Sequence, residues 1–365
     1  MHLVVDAVCT GAGALIIVAV LDSALRTFVL PRGVTPFLTR ALATTLRKGF
    51  DLLAREGKTY ERRDRIMALY GPVFLLLLVA FWMALVIVGF MLIYRGVLEV
   101  TDWQHAFELS GSSFFTLGFA APPSGVASAI LVFLEAGSGL GLLALLIAYL
   151  PTIYGAFSRR ELAVTQLATR AGRPPSGVEL LQRYHAIGWN EQLPELWAAW
   201  EAWFADVAET HTSLAVLVFF RSPHPDRSWV TAAGALLDAA SLAQSTLAIP
   251  WSPQAGLCIR AGTLALREIA DIFRIPYDPD PSPDDPISIA RSEFNDAYER
   301  LGGSGALVRP DRERAWRDFA GWRVNYDSVL LGLASVTMAP YAPWSSDRSL
   351  RWRPRFVRRR RATPA

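Results

Sequence analysis

The sequence predicts an all-α membrane protein: three transmembrane helices, a short re-entrant segment between the second and third, and a cytoplasmic all-helical domain. Three observations carry this. The 365 residues are 52% hydrophobic and 19% charged, with a mean hydropathy of +0.27, which excludes a purely soluble chain and a disordered one. The apolar excess is concentrated, since residues 66–94 hold no charged side chain and residues 126–158 hold one, Glu135. A bilayer needs about 20 apolar residues to cross ~30 Å of hydrocarbon. Beyond residue 158 the composition is that of a globular domain, with many Trp, Arg, Asp and Glu.

The first apolar stretch runs from Leu3 to about Leu30. It lacks the basic start and small-x-small site of a signal peptide, so a first membrane helix over 1–31 is expected. Asp22 and Arg26 stand four apart and share a helix face, where they can pair. Residues 32–65 carry nine Lys/Arg against four acids. Phe37, Leu38, Leu42, Leu46, Phe50 and Leu53 recur there at helical spacing, which predicts a basic amphipathic helix at a membrane face. The second crossing is Ile66–Tyr94 and the third Val126–Phe157, closed by Arg159 and Arg160. The stretch 95–125 between them holds one base and three acids. The positive-inside rule then sets a multi-pass cell-membrane protein with its N-terminus outside, 32–65 inside, 95–125 outside and the C-terminal domain cytoplasmic.

Residues 102–123 are too long for a turn and too apolar for a solvated loop. Before Phe115 they can form about three helical turns, capped by Thr101 or Asp102. Such a helix is too short to cross, so it must dip in and return, and non-helical backbone at that depth needs protein or a water-filled path around it. Its negative C-terminal end, pointing inward, favours a cation.

The order crossing, short helix, Thr116-Leu-Gly-Phe-Ala, crossing resembles the pore domain of potassium channels, whose filter reads Thr-Val-Gly-Tyr-Gly. Leu134-Glu-Ala-Gly-Ser-Gly-Leu-Gly is similar to the inner-helix pattern of the bacterial two-crossing channels. The resemblance covers 66–158 and makes this stretch an outer helix, a pore helix, a filter loop and an inner helix. It implies that the backbone carbonyls of Thr116, Leu117, Gly118 and Phe119, with Ala120 completing the segment, coordinate K⁺ as the permeant ion, and that four chains form a homotetramer around one axis.

Departures from the family pattern carry their own expectations. Ala120 replaces a glycine that usually needs a left-handed backbone, at about 1–2 kcal/mol for alanine. Ala121 replaces an anchoring aspartate, and Phe119 lacks a tyrosine hydroxyl, so a looser filter and relaxed selectivity follow. On the inner helix, Gly137, Gly139 and Gly141 are either gating hinges or close-packing positions. Pro151 removes a helix hydrogen bond and marks a gating kink. Glu135, an intramembrane carboxylate, is read as a structural tether within reach of Ser110, Ser112 or Ser113, with a direct role in permeation as the alternative.

The domain 159–340 reads as helices over 159–172, 175–188, 193–221, 226–247, 253–274, 286–301 and 310–335. Leu196, Trp197, Trp200, Trp203, Phe204 and Val207 form one apolar face, and the octet Ser213–Phe220 is a buried core helix. His211 is read as a satisfied core histidine. Cys9 and Cys258 make no C-x-x-C pair, so neither a disulfide framework nor a metal site is expected. No nucleophile elbow, P-loop or zinc motif points to an enzyme, and no cofactor beyond the permeant ion is expected. The tail 341–365 holds seven arginines in Arg351–Arg361. It reads either as an anchor to anionic membrane lipid or as a solubilising end, and nucleic acid is not an expected partner. The expected function is therefore a tetrameric monovalent cation channel, gated or assembled through its helical domain. The alternative is a non-conducting membrane sensor or scaffold with a degenerate pore.

Overall fold

The computed structural model describes residues 2–28, 36–54, 59–98, 100 and 102–348. The arginine-rich tail lies outside the described residues. Thirteen α-helices are formed among the described residues, with no strand beyond one bridge between Leu247 and Val308. The chain divides into two units, Met1–Ala156 and Phe157–Ala365. Among the described residues, three helical stretches are long and apolar enough to cross a membrane: Val4–Phe28, Tyr60–Val97 and Val126–Ala171.

In the first unit, α1 (His2–Phe28) runs antiparallel to α4 (Tyr70–Val97). Small residues allow the close approach: a Cβ on Gly13 would meet the Gly89 carbonyl, and one on Gly96 would meet the Asp6 carbonyl. Without a hydrophobic drive between helices in lipid, such backbone proximity and its dispersion contacts are what hold two apolar helices together. Outward-facing Val4, Val8, Leu15 and Val18 stay exposed on α1. Asp22 and Arg26 pair at 2.7 Å on its exposed face.

The basic segment is two helices rather than one, α2 (Phe37–Leu53) and α3 (Tyr60–Ala68). The expected apolar stripe is only partly used. Phe50 packs against Tyr70 with ring centroids 5.5 Å apart, whereas Phe37 and Leu53 are exposed. Thr39, buried, bridges α2 to Ser23 and Thr27 of α1, each at 3.1 Å.

Between the second and third long helices, α5 (Trp103–Phe114) packs on α4. Asp102 is its cap, accepting from the backbone N–H groups of Gln104 and His105. The next helix, α6, runs unbroken from Val126 to Ala171. The helix break expected between residues 157 and 159 does not occur, and Pro151 is accommodated inside the helix.

In the second unit the remaining helices are α7 (Gly177–Ala186), α8 (Leu193–Ser213), α9 (Trp229–Ser245), α10 (Pro253–Phe273), α11 (Arg291–Gly303), α12 (Arg312–Arg323) and α13 (Asp327–Thr337). Every residue of α9 is buried, so it is the central helix, with α7, α10, α12 and α13 packed around it. Ala, Gly and Ser dominate its sequence and let neighbours approach from all sides. Its polar side chains are satisfied internally: Ser241 meets the Tyr326 hydroxyl at 3.0 Å, and Ser245 donates to the Ser241 carbonyl at 2.8 Å. Buried polar groups are tolerated on those terms only. Trp197, Trp200, Trp203, Phe204 and Val207 line the buried face of α8, as their spacing predicts.

Three expected helices are corrected. The 193–221 helix ends at Ser213, and Ala215–Phe219 is a 3₁₀ turn instead of a core α-helix. The 286–301 helix starts at Arg291, after a proline-rich loop. The 310–335 helix is two, α12 and α13, separated by a turn at Val324–Tyr326.

Candidate functional site

The segment that follows α5, residues 115–125, is non-helical backbone. The N–H groups of Thr116, Leu117, Phe119 and Ala120 bond back to α5. Thr116 N–H donates to the Ser113 carbonyl at 3.1 Å and Leu117 N–H to the Ser112 carbonyl at 2.8 Å. The Ser112 hydroxyl accepts from Phe119 N–H at 3.0 Å and Ala120 N–H at 3.2 Å. In a planar trans peptide, the carbonyl of residue i−1 points opposite to the N–H of residue i. The carbonyls of Phe115, Thr116, Gly118 and Phe119 are therefore turned away from α5. The side chains of Leu117 and Phe119, 63% and 65% exposed, stand on the open surface of the single chain.

The backbone reaches this shape with two left-handed residues, Thr116 at φ 55° and Gly118 at φ 71°. Ala120, where the left-handed cost was expected, does not adopt it. The strain falls on Thr116, a β-branched residue for which positive φ is unfavourable.

Behind the loop, Glu135 of α6 is fully buried. Its Oε2 accepts from the Tyr94 hydroxyl of α4 at 2.6 Å, and its Oε1 from the Ser110 hydroxyl of α5. One carboxylate thus joins three helices. Of the three serines expected near it, Ser110 binds Glu135 and Ser112 holds the loop. The part played by Tyr94 was not foreseen, since it lies 41 positions away along the chain.

The three inner-helix glycines differ in surroundings. A Cβ on Gly139 would collide with the Phe114 carbonyl, so this glycine permits α5 to end against α6. Gly137 and Gly141 face open space in the single chain. Pro151 lies within α6, one turn from the exposed Ile147 and next to Thr152, whose hydroxyl donates back to the Ala148 carbonyl at 3.2 Å.

The second unit holds two buried ionic clusters that sequence reading did not find. Arg160, which closes the third crossing in the sequence, is 1% exposed. It donates to the carbonyls of Leu217 and Phe220 at 2.8 and 2.6 Å and pairs with Glu161 at 2.8 Å. It thereby satisfies the carbonyl end of the 3₁₀ turn. Its Nη1 also faces His211 Nε2 at 3.0 Å. A guanidinium only donates, so Nε2 must be the unprotonated nitrogen and Nδ1–H points to Thr210 Oγ1, 3.1 Å away. Burial first, and the Arg160 charge second, hold the His211 pKa well below its ordinary 6.5.

In the other cluster Arg323, fully buried, bonds Asp238 at 2.5 Å and Asp327 at 2.7 Å and donates to the Trp344 carbonyl at 2.6 Å. Burial disfavours its charge, but the two carboxylates outweigh that and raise its pKa above the ordinary value. Removing one member of such a cluster costs about 3–5 kcal/mol, because the charge left behind stays buried.

Among the described residues no group of three or more His, Cys, Asp or Glu is placed to hold a metal. Cys9 and Cys258 are free thiols. No family model, curated protein or solved structure matches this chain.

Proposed function

We propose that the chain is one subunit of a homotetrameric, potassium-channel-type channel for monovalent cations, with Thr116–Ala120 as its conduction segment. The observation that supports the reading is the one-sided backbone of most of the loop: the N–H groups of Thr116, Leu117, Phe119 and Ala120 are bound to α5, and the carbonyls of Phe115, Thr116, Gly118 and Phe119 are turned away from it. Free carbonyls cannot face lipid, where each unsatisfied group costs several kcal/mol. They can face a dehydrated cation, replacing its hydration shell. A single chain offers one such row, so four copies around an axis complete the ring and cover the exposed Leu117 and Phe119. α5 is then a re-entrant pore helix whose negative end faces the ion. The basic residues flanking the crossings support a cytoplasmic second unit, which in this reading gates or assembles the tetramer.

The Ser112 hydroxyl takes over the anchoring that the missing aspartate and tyrosine would provide, but it is one neutral acceptor shared by two donors. K⁺ over Na⁺ selectivity is accordingly relaxed. The reading is tested by cation efflux from liposomes loaded with K⁺ or Na⁺ and containing the purified protein. Gly118→Asp should abolish flux while the oligomer stays intact, because an aspartate side chain cannot sit at φ 71° without strain and obstructs the axis. Undiminished flux in this variant would remove the loop from the pathway.

One observation favours the second reading, a non-conducting sensor or scaffold. Thr116 holds a strained left-handed backbone, so the carbonyl row is not built from unstrained residues. That reading expects no efflux of either ion from a verified tetramer.

A further inference from the structure

The helix α3, which leads into the second apolar span, carries Arg62, Arg63 and Arg65. The three are used differently. Arg63 donates from Nε to the Ala54 carbonyl at 3.1 Å. Arg62 and Arg65 are exposed, and among the described residues neither makes a hydrogen bond or an ion pair. By contrast, Arg47 of α2 is matched by Asp51 at 2.9 Å. Asp64, between the two arginines in sequence, is buried and is not their partner. Glu61, exposed, stands one turn before Arg65 and farther from the apolar run, so this face keeps a net positive charge.

Three positions apart on one helix, Arg62 and Arg65 are neighbours, with Cβ atoms about 5–6 Å apart. Two guanidinium forks at that spacing can close on one phosphate group, each offering it two parallel N–H donors. The surface beyond them distinguishes a lipid from a free phosphate. The same face continues along the span Tyr60–Val97 as Leu69, Pro72 and Leu76, all exposed, the two leucines at 58% and 61%. From Arg65 to Leu76 the helix rises about 16 Å. That is the depth of one leaflet in a hydrocarbon core of ~30 Å. The apolar stripe begins where the arginines end and runs the length of an acyl chain.

We propose that Arg62 and Arg65 hold the phosphate of one anionic phospholipid, whose acyl chain lies along Leu69, Pro72 and Leu76. The headgroup is anionic because, among the described residues, no carboxylate pairs with either arginine. A zwitterionic headgroup such as phosphatidylcholine brings its own cation and gains less from the pair. Basic residues at the end of an apolar span attract anionic lipid in this way, and the division of labour with Arg63 makes it a place on the helix rather than a diffuse charge. The site rests on the second span crossing a membrane and not on the pore reading.

The experiment is native mass spectrometry of the full-length protein in detergent, titrated with dioleoyl-phosphatidylglycerol or dioleoyl-phosphatidylcholine. Phosphatidylglycerol is expected to bind about tenfold more tightly. Arg62→Gln combined with Arg65→Gln should remove that preference and leave phosphatidylcholine binding as it was. Both positions are exposed, so the variant should melt with the parent. Glycerol phosphate, a headgroup without chains, should not compete. Equal binding of the two lipids, a preference that survives the double change, or competition by glycerol phosphate would each overturn the proposal. So would a preference lost when Arg358, Arg359, Arg360 and Arg361 are changed to Gln with Arg62 and Arg65 intact, which moves the recognition to the tail. None of these readouts uses ion flux, so this site and the pore reading fail separately.

Discussion

Ser112 Oγ accepts two backbone N–H groups from the loop that follows its own helix. A hydroxyl has two acceptor lone pairs, so this one is fully used, and nothing else in the described loop ties Phe119 and Ala120 to α5. Replacing it with alanine leaves two N–H groups to find other partners, at about 1–3 kcal/mol for each one left buried and unmet. The expected outcome for Ser112→Ala is a tetramer of normal size with the K⁺ to Na⁺ efflux ratio moved toward one. Flux measured with each ion checks it, and an unchanged ratio would assign the loop's shape to something other than this hydroxyl. The Ser112 role is legible in sequence only as one of three serines within reach of Glu135. Which serine turns to the loop depends on the helical phase of α5 against α4 and α6, which no local pattern encodes.

At the scale of elements, the glycines of α6 separate into two kinds. Gly139 is a packing residue, because the end of α5 rests on it. Gly137 and Gly141 have room around them in the single chain. Gly139→Ala must displace Phe114 or open the α5–α6 contact, and overpacking of this sort costs about 1–3 kcal/mol. Gly137→Ala meets no atom of its own chain and gains about 1 kcal/mol of helix propensity. Thermal unfolding in detergent should therefore show Gly139→Ala below and Gly137→Ala at or above the parent. The glycine run alone predicted hinge or packing without choosing, since both uses require only a missing side chain. The neighbour across the helix decides between them.

For the whole molecule, the buried His211 couples folding to pH. Its folded pKa lies well below 6.5, so it stays neutral where the unfolded chain's histidine takes up a proton. Stability from this residue is fully present above pH ~6.5 and is lost as pH falls from there toward the depressed folded value, by up to about 1.4 kcal/mol per pH unit. Melting of the full-length protein should drop between pH 7 and pH 5. His211→Gln, which keeps an acceptor for Arg160 and a donor for Thr210, should flatten that slope. An equal slope in the variant would place the pH dependence elsewhere. Arg160 and His211 stand 51 residues apart, and Arg323 and Asp238 stand 85 apart. Both clusters form because packing of α8, α9 and α12 leaves polar groups where water cannot follow.

By itself the sequence determined the three apolar helices, the short capped helix between the second and third, the tryptophan face of α8 and the buried character of His211. Each is a local property: charge-free length, a capping carboxylate, or a repeat near 3.6 residues. Only the tertiary structure decided that the basic segment breaks into two helices and that α6 runs through residue 158. It alone decided that Arg160 is buried, that Thr116 and not Ala120 takes the left-handed backbone, and that Tyr94 shares Glu135 with Ser110. The physical reason is that each of these depends on a partner tens of residues away. A backbone angle, a buried charge or a helix end is settled by which donor or acceptor is nearest in space, and the chain's order carries that only after it has folded.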